Sequence, residues 1–275
     1  MTDPSRPIGV FDSGIGGLTV VRAIQDRLPG EDILYFGDTA RVPYGTKSPE
    51  TVIRFSRESL VFLNRRGIKL LVVACNTASA IALPLLKESM PIPMLGVILP
   101  GVRAAVGASK NRRVGVLGTE ATVASCAYKN GLLEADDTLT IFQQACPLLV
   151  PLAEEGWTRG EVPELAAHTY LDPLLQEGID TLILGCTHYP MLKDVIAKVA
   201  GSSVRLVDSA EETAQETAVQ LDRLGMANRR SQGGTCRVFV SDTAQRFETI
   251  GSAFLGRSLG SVTVVDQSDL PWYER

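Results

Sequence analysis

Residues 70–80 read LLVVACNTASA, and residues 181–191 read TLILGCTHYPM. Each stretch has an uninterrupted apolar run, then a cysteine, then hydroxyl or amide residues that suit a helix start. An apolar run of this kind is typical of a strand that is buried on both faces of a parallel sheet. The two stretches therefore predict an α/β fold with two equivalent strand-to-helix junctions, each carrying a cysteine.

Short β-branched runs alternate with helical patterns along most of the chain. One helix has readable ends, with Ser48 as N-cap, Pro49 in the first turn and Gly67 as the stop. This alternation predicts parallel sheets that are covered by helices on both faces. The predicted strands lie at 7–13, 32–38, 68–75, 93–98, 113–119, 139–146, 179–187, 204–209, 236–242 and 261–266.

A weaker repeat pairs residues 8–20 (IGVFDSGIGGLTV) with residues 114–123 (VGVLGTEATV). The two repeats have similar spacings, which predicts two similar lobes, although two buried strands can also resemble each other by chance. We expect a discontinuous first lobe of residues 1–98 plus 208–275 and a second lobe of residues 99–207. The late strands could instead extend the second lobe, but the first lobe would then have few strands for its length.

The 275-residue chain is 45% apolar and 21% charged, with a formal net charge of −4. These proportions are typical of globular proteins. The charge argues against nucleic acid or an anionic membrane as the main partner. No segment has the character of a signal peptide or a membrane helix, and five cysteines are too sparse for a disulfide framework. We expect a cytoplasmic protein with free thiols.

Two of the five cysteines differ from the others in their position relative to the predicted strands. Cys75 and Cys186 end predicted strands, where ligands bind in open α/β sheets and where a helix N-terminus lowers a thiol pKa. If two lobes face each other, the two sulfurs approach a bound carbon from opposite sides. This geometry predicts two-base racemisation or epimerisation, while a disulfide between the pair is not expected in the cytoplasm. Cys126, Cys146 and Cys236 fit the pattern of small buried hydrophobes.

His188 follows Cys186 by two residues and could act as its acid/base partner. It could equally be a polar surface residue. Cys186 and His188 could also ligate zinc, but the chain has no CxxC or HxxxH spacing, so no metal site is predicted.

The turn DSGIGGL at 12–18 is glycine-rich but lacks the spacing of a nucleotide-binding loop. Its amides could hold a carboxylate, and Asp12 could face a substrate ammonium or act as an acid/base. The glycines could also serve tight turn geometry alone. The long loop at 38–48, with its tip at 43–45, either covers a pocket or is a plain surface loop.

Four motifs occur in order, namely DSGIGGL at 12–18, VPYGTKS at 42–48, VVACNTASA at 72–80 and LGCTHYP at 184–190. Together they resemble the glutamate racemases of the cofactor-independent aspartate/glutamate racemase superfamily, over nearly the whole chain. The resemblance implies two pseudosymmetric α/β lobes with the active site in the cleft between them. It also implies glutamate as the small-molecule substrate, no cofactor, and a role in supplying D-glutamate for peptidoglycan in the bacterial cell wall.

The resemblance implies a role for each matched residue. Cys75 and Cys186 are the proton acceptor/donor pair, assisted by Asp12 and His188 respectively. Glu154 matches a further helper carboxylate, although Glu155 adjoins it. The implied substrate-binding residues are Asp12, Ser13, Pro43, Tyr44, Gly45, Asn76, Thr77, Thr119, Thr122, Thr187 and His188.

Three other functions stay open at this point. A sister racemase acting on aspartate differs in the length of substrate side chain that its pocket accepts, although VPYGTKS favours glutamate. A non-catalytic amino-acid-binding protein has no need of both cysteines, and a cysteine hydrolase has no role for a second thiol. A homodimer is a further expectation, and residues 257–275 carry no recognisable motif.

Overall fold

The computed structural model of the chain describes residues 3–266, and each predicted strand contains an observed one. The ends of the predicted first lobe, residues 1–2 and 267–275, lie outside the described residues. The strands are β1 Ile8–Asp12, β2 Ile33–Gly37, β3 Leu70–Val73, β4 Met94–Gly96, β5 Arg113–Gly118, β6 Thr140–Ala145, β7 Thr181–Gly185, β8 Arg205–Asp208, β9 Cys236–Val240 and β10 Val262–Val264.

These strands form two sheets whose neighbouring strands all run parallel. One sheet has six strands in the order β10-β9-β2-β1-β3-β4, and the other has four in the order β6-β5-β7-β8. The α/β fold with mainly parallel sheets is therefore confirmed.

The topology also accounts for the sequence repeats. The order β2-β1-β3-β4 in the first sheet matches β6-β5-β7-β8 in the second, so β1 corresponds to β5 and β3 to β7. These are the strands of the two repeats. The late strand β9 pairs with β2 of the first sheet. The lobe boundaries at 98/99 and 207/208 stay a prediction.

At least one helix lies between each pair of successive strands. The helix α2, Pro49–Asn64, has Ser48 as its N-cap, which accepts a hydrogen bond from the Thr51 amide, and Pro49 as its first residue. Its C-cap is Arg65, and Gly67 takes φ +70° two residues later, so the predicted stop lies slightly beyond the helix. The helices are α1 Leu18–Arg27, α2 Pro49–Asn64, α3 Asn76–Ile81, α4 Leu83–Leu86, α5 Ile98–Ala108, α6 Glu120–Ala124, α7 Ala127–Ala135, α8 Leu149–Glu154, α9 Glu161–Gln176, α10 Lys193–Ala200, α11 Ser209–Arg223 and α12 Ala244–Leu255.

The two sheets share a continuous core. One cluster of buried apolar side chains includes Val10 and Val72 of the first sheet and Leu184 of the second. Helices α1 and α11 pack against each other beside this core. Burial of this apolar surface stabilises the fold and holds the ends of both sheets in fixed relation. Within residues 3–266, no helix has the length and apolar character needed to cross a bilayer.

Candidate active site

The carboxyl ends of four strands converge on a cavity of about 310 Å³. Ser13 follows β1 and Cys75 follows β3 of the first sheet, while Thr119 follows β5 and Cys186 follows β7 of the second. All four residues line the cavity. Because matching strand ends of the two sheets supply its walls, the cavity lies between the sheets, where parallel α/β folds bind ligands.

The two cysteines reach this cavity from different sheets. Both thiols are free and nearly buried, with 5% of each residue exposed. Cys75 Sγ donates to Ser13 Oγ at 3.4 Å and accepts from the Ala78 amide at 3.5 Å, so it caps helix α3. Cys186 Sγ lies 3.8 Å from His188 Nδ1. One bound molecule can therefore meet both sulfurs.

The surroundings of Cys75 do not activate it as the sequence predicts. Burial, together with the charge of Asp12, raises the pKa of Cys75 to about 12. The hydrogen bonds with Ser13 and Ala78 act in the opposite direction and are outweighed. The expectation of a lowered thiol pKa is therefore wrong for Cys75, because desolvation exceeds the effect of the helix N-terminus.

Cys186 belongs to a hydrogen-bonded series with His188 and Glu154. His188 Nε2 lies 3.0 Å from Glu154 Oε1, and the edge of the Phe254 ring packs against the imidazole. Burial opposes the charged form of His188, but hydrogen bonds with Cys186 and Glu154 raise its pKa to about 10. Glu154 makes this contact, whereas Glu155 lies on the exposed side of the segment. The arrangement suits an acid/base partner for Cys186, and His188 is not a surface residue.

The raised pKa of His188 predicts a pH-dependent contribution to stability. A group whose pKa rises on folding contributes fully below its unfolded pKa and nothing above its folded pKa. The contribution of His188 should therefore be complete below pH 6.5 and disappear as the pH approaches about 10. Urea unfolding of the wild type and of His188→Asn across this range should show a difference in unfolding free energy that shrinks with rising pH. A constant difference would contradict the assignment, and Cys186→Ala should weaken the pH dependence.

Asp12 does not line the cavity. Its carboxylate is fully buried, and it accepts hydrogen bonds from the amides of Gly14 and Gly17 and from the hydroxyl of Thr187. Burial raises the pKa of Asp12. That Asp12 faces a substrate ammonium or acts as an acid/base stays a prediction. The carboxylate stabilises the 12–18 turn by accepting hydrogen bonds from its amides. It also hydrogen-bonds with Thr187, which lines the cavity.

The glycine-rich turn passes very close to the second sheet. A Cβ at Gly16 would lie 2.3 Å from Thr187 Oγ1 and 2.5 Å from His188 Nδ1. No side chain fits at such distances, so the glycine permits the turn to approach the residues that follow Cys186. The glycines thus serve more than turn geometry.

Polar groups suited to a carboxylate lie on the cavity wall. Asn76 Oδ1 accepts a hydrogen bond from the Tyr128 hydroxyl at 2.7 Å. The other polar atom of this side chain, the buried Asn76 Nδ2, has no hydrogen-bond partner in the described structure. Thr77 Oγ1 lies 2.9 Å from Thr119 Oγ1 and 3.3 Å from Thr122 Oγ1. Thr77 and Thr119 line the cavity, whereas Thr122 supports them from behind. A buried unpaired donor is costly unless a ligand satisfies it.

The 38–48 loop covers one side of the cavity, as the first of its two interpretations predicts. Pro43, Tyr44 and Gly45 line the wall. A Cβ at Gly45 would lie 2.8 Å from Thr119 Cβ, so this position also needs a glycine. The Tyr44 ring is buried, and its hydroxyl donates to Asp38 Oδ2 at 2.5 Å.

The sequence did not identify several wall residues. Cys146 is fully buried, as predicted, and donates to the Gln144 carbonyl, yet it also lines the cavity. Its position directly after β6 was a usable signal. Cys126 and Cys236 are only partly buried, contrary to prediction. The other unpredicted wall residues are Gly14, Val42, Thr46, Glu120, Pro147, Val150 and Pro151.

Known proteins resemble the chain over most of its length. Residues 9–217 match the family model described as Asp/Glu/Hydantoin racemase. A glutamate racemase from Geobacter metallireducens is 54% identical, over 94% of this chain and 96% of the relative. The crystal structure of a Bacillus anthracis glutamate racemase has a TM-score of 0.91 and 42% identity, covering 95% of this chain and 97% of that one. The Francisella tularensis glutamate racemase in complex with D-glutamate has a TM-score of 0.89 and 38% identity, covering 96% and 98%.

Proposed function

Because the chain belongs to the Asp/Glu/hydantoin racemase family, we propose that it interconverts L- and D-glutamate by proton transfer between Cys75 and Cys186. One observation carries the mechanism: two thiols from matching strand ends of different sheets line one cavity. Removal of the α-proton from one face of glutamate and delivery of a proton to the other face needs one base on each side. Glutamate racemases of high identity support the choice of reaction.

The proton transfer is a two-step exchange at Cα. One cysteine, as thiolate, takes the α-proton, and the C–H electron pair stays on the substrate as a planar carbanion. The opposite cysteine, as thiol, donates its proton to the other face and becomes a thiolate. After one turnover the two sulfurs have exchanged protonation states, so the same site serves both directions.

The two cysteines start from different environments. The raised pKa of Cys75 favours its thiol form, whereas His188 with its pKa of about 10 offers a positive charge beside Cys186. A neighbouring imidazolium stabilises a thiolate. We infer that bound substrate must lower the pKa of Cys75 in the direction in which Cys75 takes the α-proton.

Carbanion stabilisation is assigned to the protein itself, without pyridoxal phosphate. The donors are Asn76 Nδ2, which has no other partner in the described structure, and the hydroxyls of Ser13, Thr77 and Thr187. Donors that face the α-carboxylate stabilise charge that moves onto it as the proton leaves. Asp12 assists from behind Thr187, and Glu154 assists by holding His188.

Glutamate is the proposed substrate in preference to aspartate. The Francisella tularensis relative is a glutamate racemase whose structure is in complex with D-glutamate. The Geobacter metallireducens relative is also named a glutamate racemase. We place the side-chain carboxylate toward the 42–46 segment, which would then set the accepted length. We further propose a cytoplasmic enzyme that supplies D-glutamate for peptidoglycan, and a homodimer as its assembly.

The change in optical rotation of L-glutamate, with purified protein and no added cofactor, tests the proposal. Rotation should fall to zero as the racemic mixture forms, and L-aspartate should react much more slowly. Binding of glutamate without loss of rotation would indicate a non-catalytic binding protein. Faster loss with aspartate would indicate the sister racemase.

A further inference from the structure

A buried carboxylate anchors the loop that covers the cavity. Asp38 follows β2 and is fully buried. Its Oδ2 accepts hydrogen bonds from the Tyr44 hydroxyl at 2.5 Å and from Arg41 Nε at 2.7 Å. Both donors belong to the 38–48 loop, so the carboxylate fixes the loop from beneath. Arg41 is held in turn by an ion pair with Glu58 of helix α2.

The second oxygen of this carboxylate binds a distant part of the chain. Ser241 follows β9, which pairs with β2, so Ser241 and Asp38 share one edge of the sheet. The nearly buried Ser241 hydroxyl donates to Asp38 Oδ1 at 2.8 Å and accepts from the Ala40 amide at 3.0 Å. The Ser241 hydroxyl thus forms hydrogen bonds with both the Asp38 carboxylate and the backbone of the loop.

The neighbouring residue makes a parallel contact. The Asp242 amide donates to Thr39 Oγ1 at 2.9 Å, so two successive residues after β9 hold two successive residues of the loop. Ser241 lies outside the residues 9–217 that match the family model and in none of the four motifs. The segment after β9 therefore contacts the loop that covers the cavity, although Ser241 and Asp242 do not line the cavity themselves.

We propose that Ser241 is a positioning residue for substrate binding, which acts through Asp38 to place Tyr44 and Gly45 on the cavity wall. The inference rests on the proposed function, in which these loop residues contact glutamate. Loop contacts on the substrate that are equal in the ground state and the transition state affect KM rather than kcat. Ser241 therefore belongs to binding and not to proton transfer.

The variant Ser241→Ala tests the inference because it removes one hydroxyl and leaves a buried carboxylate oxygen and the Ala40 amide short of a partner. KM for glutamate should rise roughly tenfold with kcat changed little. A buried group without a partner is costly, so we expect Asp38 and the loop to shift until the carboxylate oxygen and the Ala40 amide find new partners. Ser241→Thr keeps the hydroxyl and should restore most of the affinity. The matched control is Ser59→Ala, which removes a buried hydroxyl that, among the described residues 3–266, donates to the Phe55 carbonyl of the same helix α2.

A double-mutant cycle tests the route through Asp38. Tyr44→Phe removes the hydroxyl that reaches the same carboxylate from the loop side. If both residues act through Asp38, the combined effect of Ser241→Ala and Tyr44→Phe on KM should be smaller than the product of the single effects. Multiplicative effects, or a Ser241→Ala variant whose KM matches that of Ser59→Ala, would overturn the inference. A wild-type protein that does not racemise glutamate would instead overturn the proposed function.

Discussion

Replacement of either Cys75 or Cys186 by alanine should abolish racemisation in both directions while leaving the fold intact. Each direction uses both sulfurs, one to take the α-proton and one to return a proton, so loss of either sulfur stops both. Alanine is smaller than cysteine and apolar, so it fits these nearly buried positions with a modest loss of stability. Optical rotation started from each enantiomer, with a thermal melt of each variant, measures the two effects separately.

Cys146 provides the strictest control for this experiment. It is a fully buried thiol in the same cavity, but its sulfur donates to the Gln144 carbonyl and has no role in the proposed reaction. Cys146→Ala, and likewise Cys126→Ala and Cys236→Ala, should lose stability at most. Near-normal turnover in Cys75→Ala or Cys186→Ala would show that the two-thiol mechanism is wrong.

Asp12→Asn and His188→Asn should each lower kcat by roughly 10²–10⁴-fold, the range for loss of acid/base assistance. His188 contacts Cys186 Sγ directly, and asparagine cannot carry the positive charge that stabilises a thiolate there. Asp12 acts from within the protein, through its hydrogen bond with the Thr187 hydroxyl.

The two variants should differ in how they affect the two directions. Because each residue lies beside a different cysteine, the losses in kcat from L-glutamate and from D-glutamate should be unequal in each variant. The equilibrium constant still ties the two kcat/KM values together, so the comparison belongs at saturating substrate. A change confined to KM would make these residues binding groups instead.

The sequence was sufficient to predict the strands and the strand ends that line one cavity. Buried parallel strands leave continuous apolar runs such as residues 70–73 and 182–184, and polar residues at their ends identify where ligands bind. The repeat between these runs indicated that Cys75 and Cys186 occupy matching places, which the order of the two sheets reproduces.

Features that depend on tertiary packing were not predictable in this way. The burial of Asp12 and of Cys75, which raises the pKa of Cys75, depends on how the ends of β1 and β3 are packed in the folded chain. The contact between Ser241 and Asp38 joins residues 203 apart in sequence, and no local pattern signals it. Cys146 lacks the polar residues that follow the other two junction cysteines, although it also ends a strand.

Incorporation of solvent deuterium at Cα during initial turnover tests the two-base mechanism most directly. In heavy water the donating thiol carries deuterium, while the abstracting sulfur holds the proton of the substrate. With two opposing bases, the product enantiomer should gain α-deuterium from its first turnover and the remaining substrate should stay largely protiated, whichever enantiomer is supplied. Substantial retention of the original α-hydrogen in the product would contradict the assignment of Cys75 and Cys186 as opposing bases.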